Sequence, residues 1–210
     1  GDELDPATNT ILRRTGRSTE PVVLVGGGND TAFRAEVPGT RSEVVSPVVP
    51  LGARSLRVAN PGLYAPGQAV IVWQPSTEAW LASVNYGDTV DATEAWRPGE
   101  IDLRYHRYIT AIDGDTLTLD APVYDRLDRS LAQSVVYRYD AAGTVFHAGI
   151  ERVFVDIETE GETAETHAWD AVRFVQAENC WARDVHTRHF VQAGIKFGGT
   201  VTRSTAERCR

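Results

Sequence analysis

Acidic side chains are concentrated between residues 156 and 170, the part of the sequence richest in groups that could do chemistry. The carboxylates and the histidine of this stretch are Asp156, Glu158, Glu160, Glu162, Glu165, His167 and Asp170. Because a hard cation such as Ca²⁺ takes about six to eight oxygen ligands, the cluster indicates a calcium site formed by Asp156, Glu158 and Glu165. A bound calcium would act as a Lewis acid. The alternative is a solvated acidic loop, since the spacing matches no dedicated calcium-binding loop.

Histidine and arginine side chains form a second candidate group. Histidine is the natural acid–base residue near neutral pH, so His167 and His189 are candidate catalytic residues, together with Asp170. Arg183 and Arg188 form a positive patch that could neutralise a substrate carboxylate while a base removes a proton from the neighbouring carbon. In this hypothesis Arg183 is catalytic and Arg188 binds the substrate. The alternative is that the histidines are ordinary surface or core residues.

Three aspartates recur along the same region and raise a different possibility. If Asp156, Asp170 and Asp184 occupied equivalent places in neighbouring repeats, they would lie roughly 4.8 Å apart. Retaining glycoside hydrolysis needs two carboxyl groups about 5–5.5 Å apart, and inverting hydrolysis needs about 6.5–9.5 Å. The alternatives are that these aspartates form turns, or that Arg183 pairs with Asp156 or Asp184.

Tryptophan side chains near these groups could bind a sugar. An indole ring offers an apolar face to a pyranose, and Trp169 stands just after His167. Trp80 and Trp96 belong to a long polar segment, residues 76–104, and loops of that length inside compact domains are often functional. We therefore assign Trp169, Trp80 and Trp96 to substrate binding. Packing beneath the loop is the alternative for Trp80 and Trp96.

Alternating apolar residues at a repeated spacing predict how these groups are positioned. Similar segments begin at Gly149, at Ala177 and again near Thr202. A strand–turn repeat of this length is typical of a β-solenoid, whose coils bury their apolar faces by stacking on one another. We therefore expect residues 149–209 to form stacked parallel strands. The side chains expected inside are Val153, Val155, Val172, Phe174, Val185 and Ile195.

Short strands joined by turn residues predict a different arrangement before the repeats. Residues 51–142 are interpreted as a strand-rich insertion that forms a small antiparallel β-barrel or sandwich, with a hairpin at Asp113–Asp115. Ser76 is expected to cap a short helix there. Residues 1–50 are interpreted as N-terminal strands and loops of the first coil. Residues 143–210 are interpreted as the coils that follow, the last of them incomplete.

The overall composition argues against some classes of partner. The formal net charge is -8 and no cluster of Lys or Arg opposes it, which argues against a nucleic-acid partner. No apolar run approaches the about 18 residues of a membrane span, so no membrane partner is expected. Cys180 and Cys209 fall at similar phases of successive repeats, either as stacked core thiols or as a disulfide. The open last coil is expected to associate with a second copy or with a partner segment.

The repeats also carry a resemblance to a known family. The segments Gly149–Val155 and Asn179–Val185, together with His167-Ala168-Trp169, resemble bacterial secreted right-handed parallel β-helix proteins of the pectate-lyase-like superfamily. The resemblance implies an all-β fold, a partial right-handed parallel β-helix with an inserted antiparallel unit. It also implies a secreted or periplasmic protein that degrades polysaccharide, with lyase-type β-elimination on an acidic glycan slightly favoured over hydrolysis. The alternative is a non-catalytic glycan-binding or self-assembling structural module.

Overall fold

The structure is a computed structural model that describes residues 9–27, 35–87 and 95–210. Part of the long polar loop, residues 88–94, lies outside the described residues. Within the described residues the chain is almost entirely strands and connecting turns, and it divides into two compact units. The parallel unit comprises residues 1–34 and 141–210, and the antiparallel unit comprises residues 35–140.

The described elements are short and follow one another closely. The strands are β1 (Thr10–Arg14), β2 (Val23–Gly26), β3 (Ser42–Glu43), β4 (Val48–Val49), β5 (Ser55–Arg57), β6 (Ala69–Gln74), β7 (Leu103–Asp113), β8 (Thr116–Leu119), β9 (Leu127–Asp128), β10 (Val135–Arg138), β11 (Val145–Phe146), β12 (Gly149–Glu151), β13 (Val153–Ile157), β14 (Asp170–Val175), β15 (Ala177–Glu178), β16 (Trp181–Arg183), β17 (His186–Arg188), β18 (Ala193–Phe197) and β19 (Thr205–Glu207). The α-helix α1 (Glu78–Ser83) follows β6. No helix among the described residues is long and apolar enough to cross a membrane.

The parallel unit stacks strands that are distant in sequence. β13 lies between β1 and β17, β14 lies between β2 and β18, and β16 lies between β12 and β19. All of these neighbours run parallel, as do β11 and β15. The chain therefore returns to the same sheets repeatedly, which confirms the predicted stacking of residues 149–209. Of the side chains expected inside, Val155, Val172, Phe174 and Val185 are buried, and Val153 and Ile195 are partly buried against them.

Residues in the left-handed backbone region separate the short strands of this unit. Arg152 lies between β12 and β13 with a φ of 53°, and Asp184 lies between β16 and β17 with a φ of 52°. Among non-glycine residues, Asn, Asp and His adopt this region most readily. Further corner residues of the same kind are His147, Gln176, Asn179, His189, Arg203 and Arg208. Each coil therefore bends sharply at its corners while its strands remain extended.

Ion pairs between charged side chains on stacked strands help to set the register of neighbouring coils. Arg183 of β16 lies between Glu151 and Glu207, with nitrogen–oxygen distances of 3.3 Å and 3.1 Å. Asp156 of β13 pairs with Arg188 of β17 at 2.7 Å. Ion pairs between exposed side chains, such as those of Arg183, contribute only about 0–1 kcal/mol each to stability, so their main effect is on register. A slip of one residue would turn these side chains to the opposite face of the sheet and break the pairs.

The antiparallel unit contains a six-stranded sheet in the order β3-β10-β6-β7-β8-β5. The sheet curves into a half-barrel where the sequence predicts a small barrel or sandwich, and a bridge between Val44 and Val58 joins the segments next to its edge strands. Gly114, with a φ of 57°, turns β7 into β8, which confirms the hairpin. Residues 35–50, which the predicted boundary at residue 51 leaves out, belong to this unit because β3 pairs with β10 and β4 pairs with β9.

The helix α1 is capped by Thr77, one residue after the predicted cap. The Thr77 hydroxyl accepts a hydrogen bond from the backbone N–H of Trp80 at 3.2 Å. The hydroxyl of Ser76 instead donates to the carboxylate of Asp102 at 3.1 Å and accepts from the backbone N–H of Gly99 at 2.9 Å. A helix at this place is confirmed. Its cap is Thr77 because the hydroxyl of Ser76 is already hydrogen-bonded to Asp102 and Gly99.

Both cysteines are free thiols in the core of the parallel unit. Cys180 is buried, and Cys209 is partly buried against the same cluster of apolar side chains. The thiol of Cys180 donates to the carbonyl oxygen of Glu178 at 3.4 Å, and that of Cys209 to the carbonyl oxygen of Ala182 at 3.5 Å. Of the two alternatives, the structure therefore shows the core thiols and not the disulfide.

Candidate functional site

A cleft of about 490 Å³ opens on the parallel unit where connecting loops of neighbouring coils meet. The loop 158–169 joins β13 to β14, and the much shorter loop 189–192 joins β17 to β18 in the next coil. Because the strands stack in register, the longer loop extends past the shorter one and a space remains between them. The lining residues are Thr159, Glu160, Gly161, Glu162, Thr163, Ala164, Glu165, His167, His189, Phe190 and Val191.

His189 enters the cleft from the corner that follows β17. Its φ of 61° places it in the left-handed region, and its Nδ1 atom lies 3.1 Å from the carbonyl oxygen of Ile157. A carbonyl oxygen can only accept, so in the neutral ring the proton is assigned to Nδ1. The Nε2 atom of His189 then carries no hydrogen, and its lone pair can accept a hydrogen bond or a proton.

His167 lines the same cleft from the end of the longer loop, and it is only 6% exposed. Its Nδ1 atom is fully enclosed and has no hydrogen-bond partner among the described residues. Orphaned buried N–H groups are rarer than orphaned acceptors, so the proton of the neutral ring is assigned to Nε2. That nitrogen is the one through which the ring can meet a ligand. His167 thus supplies a donor to the cleft and His189 an acceptor.

Asp156 lies close to His189 and forms ion pairs with two arginines. Arg188 donates from Nε to the Asp156 carboxylate at 2.7 Å, and Arg13 approaches it at 3.7 Å. The hydrogen bond from Arg188 is the main reason that the pKa of Asp156 lies below its usual value. The same carboxylate is 3.6 Å from Nδ1 of His189. Asp156 and Arg188 therefore neutralise each other beside the cleft.

We expect Asp156→Asn to lower the free energy of unfolding by about 1–2 kcal/mol at about pH 7. Hydrogen bonds between charged groups contribute about 1.5–3 kcal/mol, and the half-exposed Arg188 reduces this contribution. Because the folded-state pKa of Asp156 is depressed, the wild-type protein retains the contribution above the unfolded-state pKa of about 3.9 and loses it as the pH falls through the folded-state value. The variant should therefore lose less stability than the wild type over that acidic window.

Urea unfolding at neutral and acidic pH would measure this difference. Glu20→Gln is the matched control, since Glu20 is exposed and its carboxylate has no ion-pair partner among the described residues. The control should change stability by less than about 0.5 kcal/mol at either pH. An acid-induced loss of stability that is the same in wild type and in Asp156→Asn would contradict the assignment.

Some carboxylates of the loop 158–169 accept hydrogen bonds from other parts of the chain, and others have no ion-pair partner among the described residues. Glu158 accepts a hydrogen bond from the backbone N–H of Gly16 at 3.1 Å. Glu160 accepts one from Nε of Arg17, also at 3.1 Å, and these side chains border a smaller cleft of about 230 Å³ that includes His167. Glu162 and Glu165 are exposed and have no ion-pair partner among the described residues. The larger cleft therefore presents two uncompensated negative charges.

The residues predicted to hold calcium do not fit that ion. Asp156 faces arginines, Glu158 faces a backbone N–H, and Glu165 lies farther along the loop. In the described parts of the chain, no group of three or more His, Cys, Asp or Glu side chains is placed to hold a metal ion. A calcium site needs about six to eight oxygen ligands, and these three side chains do not come together to supply them.

Two further candidates lie outside the cleft. Asp170 begins β14 and is 2% exposed, with one carboxylate oxygen lacking a partner and the other 3.9 Å from Lys196. Arg183 belongs to the β12–β16–β19 sheet, where Glu151 and Glu207 hold it. Neither side chain lines the space that His167 and His189 share, and the expected pairing of Arg183 with Asp156 or Asp184 gives way to these two glutamates.

The idea of stacked aspartates is wrong. Asp156 is aligned with Arg188 on β17, and Asp170 is aligned with Ala193 on β18. Asp184 occupies a corner and pairs with Arg208 at 2.6 Å. No two of the three aspartates are neighbours on adjacent strands, so they cannot form a hydrolytic pair.

The aromatic candidates have different positions. Trp169 is 46% exposed beside the cleft, and Phe190, which the sequence analysis does not single out, lines it and is 38% exposed. Trp80 lies in the antiparallel unit at 6% exposure, packed with Leu81 and Ala132, so it presents no ring face to a ligand. Trp96 belongs to the same unit and is partly exposed. Trp169 ends the loop 158–169 that borders the cleft, although its side chain is not among the lining residues.

Comparisons with known proteins give matches in structure alone. No family model matches the sequence, and no curated protein matches it. The chain matches the tailspike protein gp49 from Pseudomonas phage LKA1 with a TM-score of 0.50 and 15% identity, over 96% of this chain and 33% of that one. The Gp54 tailspike of Acinetobacter baumannii bacteriophage AP22, solved in complex with A. baumannii capsular saccharide, gives a TM-score of 0.39 and 8% identity over 84% and 38% of the two chains.

The tailspike gp61 of Pseudomonas phage phi297 gives a TM-score of 0.38 and 16% identity over 90% and 36% of the two chains. The chain thus spans about a third of the length of the solved structures it matches. At 15% identity, the similarity to gp49 concerns the fold, so the activity of this chain must be argued from its own cleft.

Proposed function

We propose that this chain is part of a protein that binds or degrades polysaccharide, and that the cleft between loops 158–169 and 189–192 is its glycan site. The observation that carries the proposal is that two histidines line one cleft, His189 with Nδ1 against the Ile157 carbonyl oxygen and His167 with an enclosed Nδ1. The tautomers assigned from these contacts make His167 a donor and His189 an acceptor. Sugars present hydroxyl groups that both donate and accept. The exposed rings of Phe190 and Trp169 add apolar faces against which a pyranose can stack.

The stacked parallel sheets support a second part of the proposal, that the parallel unit is a segment of a right-handed parallel β-helix. Its coils return to the same sheets, and the fold is similar to that of the gp49 tailspike. A solenoid of this kind presents connecting loops from successive coils along one side, so a long glycan could run across several of them. Secretion or a periplasmic location is proposed on the resemblance described for the sequence.

Hydrolysis fits the cleft better than β-elimination does. Glycoside hydrolysis uses one group as acid and another as base or nucleophile, and the cleft offers Glu162, Glu165 and the two histidines. Elimination from a uronate needs a cation near the substrate carboxylate, and no Lys or Arg is among the lining residues. One observation favours elimination as the second candidate: the free Nε2 of His189 is a suitable base for the sugar proton.

Depolymerisation assays on neutral, amino-bearing and uronate polysaccharides, with and without calcium, test the proposed function. Hydrolysis would release reducing ends without ultraviolet-absorbing products, whereas elimination would release unsaturated uronates that absorb. Retention of glycan without cleavage would assign the cleft to binding alone. Failure to bind or cleave any glycan of the panel would refute the proposal.

A further inference from the structure

We propose that the cleft selects glycans that carry free amino groups over those that carry carboxylates; this inference rests on the proposed function. The first observation is charge. The lining includes Glu160, Glu162 and Glu165, and only Glu160 is compensated, by Arg17. Opposite charges attract and like charges repel across a narrow space. The free glutamates therefore favour binding of an ammonium group and disfavour binding of a uronate.

The second observation concerns His167, which is independent of the acidic loop's charge. The ring is more than nine-tenths buried, lines the cleft, and has no hydrogen-bond partner for Nδ1 among the described residues. Because Nδ1 is enclosed, the ring can contact a ligand in the cleft only through its other nitrogen. Its remaining nitrogen, Nε2, can donate to a sugar oxygen, so the cleft is built for a hydroxylated ligand and not for a simple ion.

The role of His189 agrees with this ligand chemistry. Its Nδ1–H is used by the Ile157 carbonyl oxygen, and its Nε2 lone pair accepts an N–H or O–H donor from the ligand. A carboxylate can only accept hydrogen bonds. In the cleft it would face the Nε2 lone pair of His189 and the carboxylates of Glu162 and Glu165, none of which can donate to it. An amino sugar supplies ammonium donors for these groups, hydroxyl oxygens for His167, and an apolar ring face for Phe190.

Calorimetric binding of three matched oligosaccharide sets tests the inference. Glucosamine oligomers, their N-acetylated counterparts and oligogalacturonates would be compared at about pH 7, in the same buffer and at the same salt concentrations. We expect glucosamine oligomers to bind about fivefold or more tighter than the acetylated ones at low salt, and the oligogalacturonates to bind weakest. The preference should shrink at high salt, because screening weakens exposed charge pairs.

A charge-removing variant shows whether the two free glutamates cause the preference. Glu162→Gln combined with Glu165→Gln should weaken binding of the glucosamine oligomers more than binding of the acetylated ones, so that the preference for the amine is lost. The control combines Glu20→Gln with Asp113→Asn, which removes two exposed charges outside the cleft lining and should keep the preference.

The possible outcomes separate the two proposals. Equal affinity for the amine-bearing and acetylated oligomers, or tighter binding of the galacturonates, overturns the inference and leaves glycan binding intact. No binding of any oligosaccharide overturns both the inference and the proposed function. Spermidine, which carries amines without a sugar ring, should bind at least tenfold more weakly than glucosamine oligomers of similar charge; equal binding would identify a polyamine site and overturn the inference.

Discussion

Gly26→Ala should destabilise the parallel unit by at least about 3 kcal/mol or prevent it from folding. Gly26 ends β2 with a φ of 94°, and a Cβ built there would lie 1.8 Å from the carbonyl oxygen of Val175. That oxygen is backbone in β14, which is held on both sides by β2 and β18 and cannot move aside without breaking the stack. The substitution therefore combines left-handed strain with a clash that no side-chain rotation relieves.

Gly27→Ala is the matched control. A Cβ at Gly27 would meet no atom within 4 Å, and its φ lies outside the left-handed region. Thermal and urea unfolding of the two variants should show a large loss for Gly26→Ala and a change within about 0.5 kcal/mol for Gly27→Ala. Similar stability in the two variants would show that β2 and β14 do not approach each other this closely.

The stacked strands could be predicted because their signal is local. Val172 and Phe174 lie on either side of Arg173 in a short apolar strand, and Ala177 begins a segment that repeats the pattern of Gly149. Which side chains meet across coils could not be predicted, because register depends on connecting loops of unequal length. The loop 158–169 is much longer than the loop 189–192, so equal offsets in sequence do not become neighbours in the stack. Arg183 consequently meets glutamates and not the expected aspartates.

Of the four residues predicted to be catalytic, two line the cleft and two, Arg183 and Asp170, do not. His167 and His189 emerge from the sequence by residue type alone, and the structure places both in one cleft. The pairing of Arg17 with Glu160 could not be anticipated, since the residues are distant in the chain and meet only after β1 stacks on β13. The hydrogen-bonding roles of the two histidines also depend on tertiary structure, because they are set by the Ile157 carbonyl and by the enclosure of Nδ1 in His167.

Where the depolymerisation assays detect cleavage of a glycan, His189→Gln should lower kcat on that glycan about 10²- to 10⁴-fold, which is the usual contribution of a general acid or base. The glutamine amide is polar and similar in reach to the Nε2 end of the ring, but it cannot take up and release a proton near neutral pH. The change should appear mainly in kcat, with KM altered little, because the amide preserves a polar contact to the bound sugar.

His147→Gln is the control for this prediction, because His147 also occupies a left-handed corner, with a φ of 56°, and is not among the residues that line the cleft. It should leave kcat within about twofold of the wild type, since it removes an imidazole ring that does not line the cleft. Unfolding curves of both variants would separate loss of chemistry from loss of structure. Full activity in His189→Gln would remove His189 from the chemistry and leave the cleft's carboxylates to supply both acid and base, whereas an equal loss in both variants would point to damage of the coil corners.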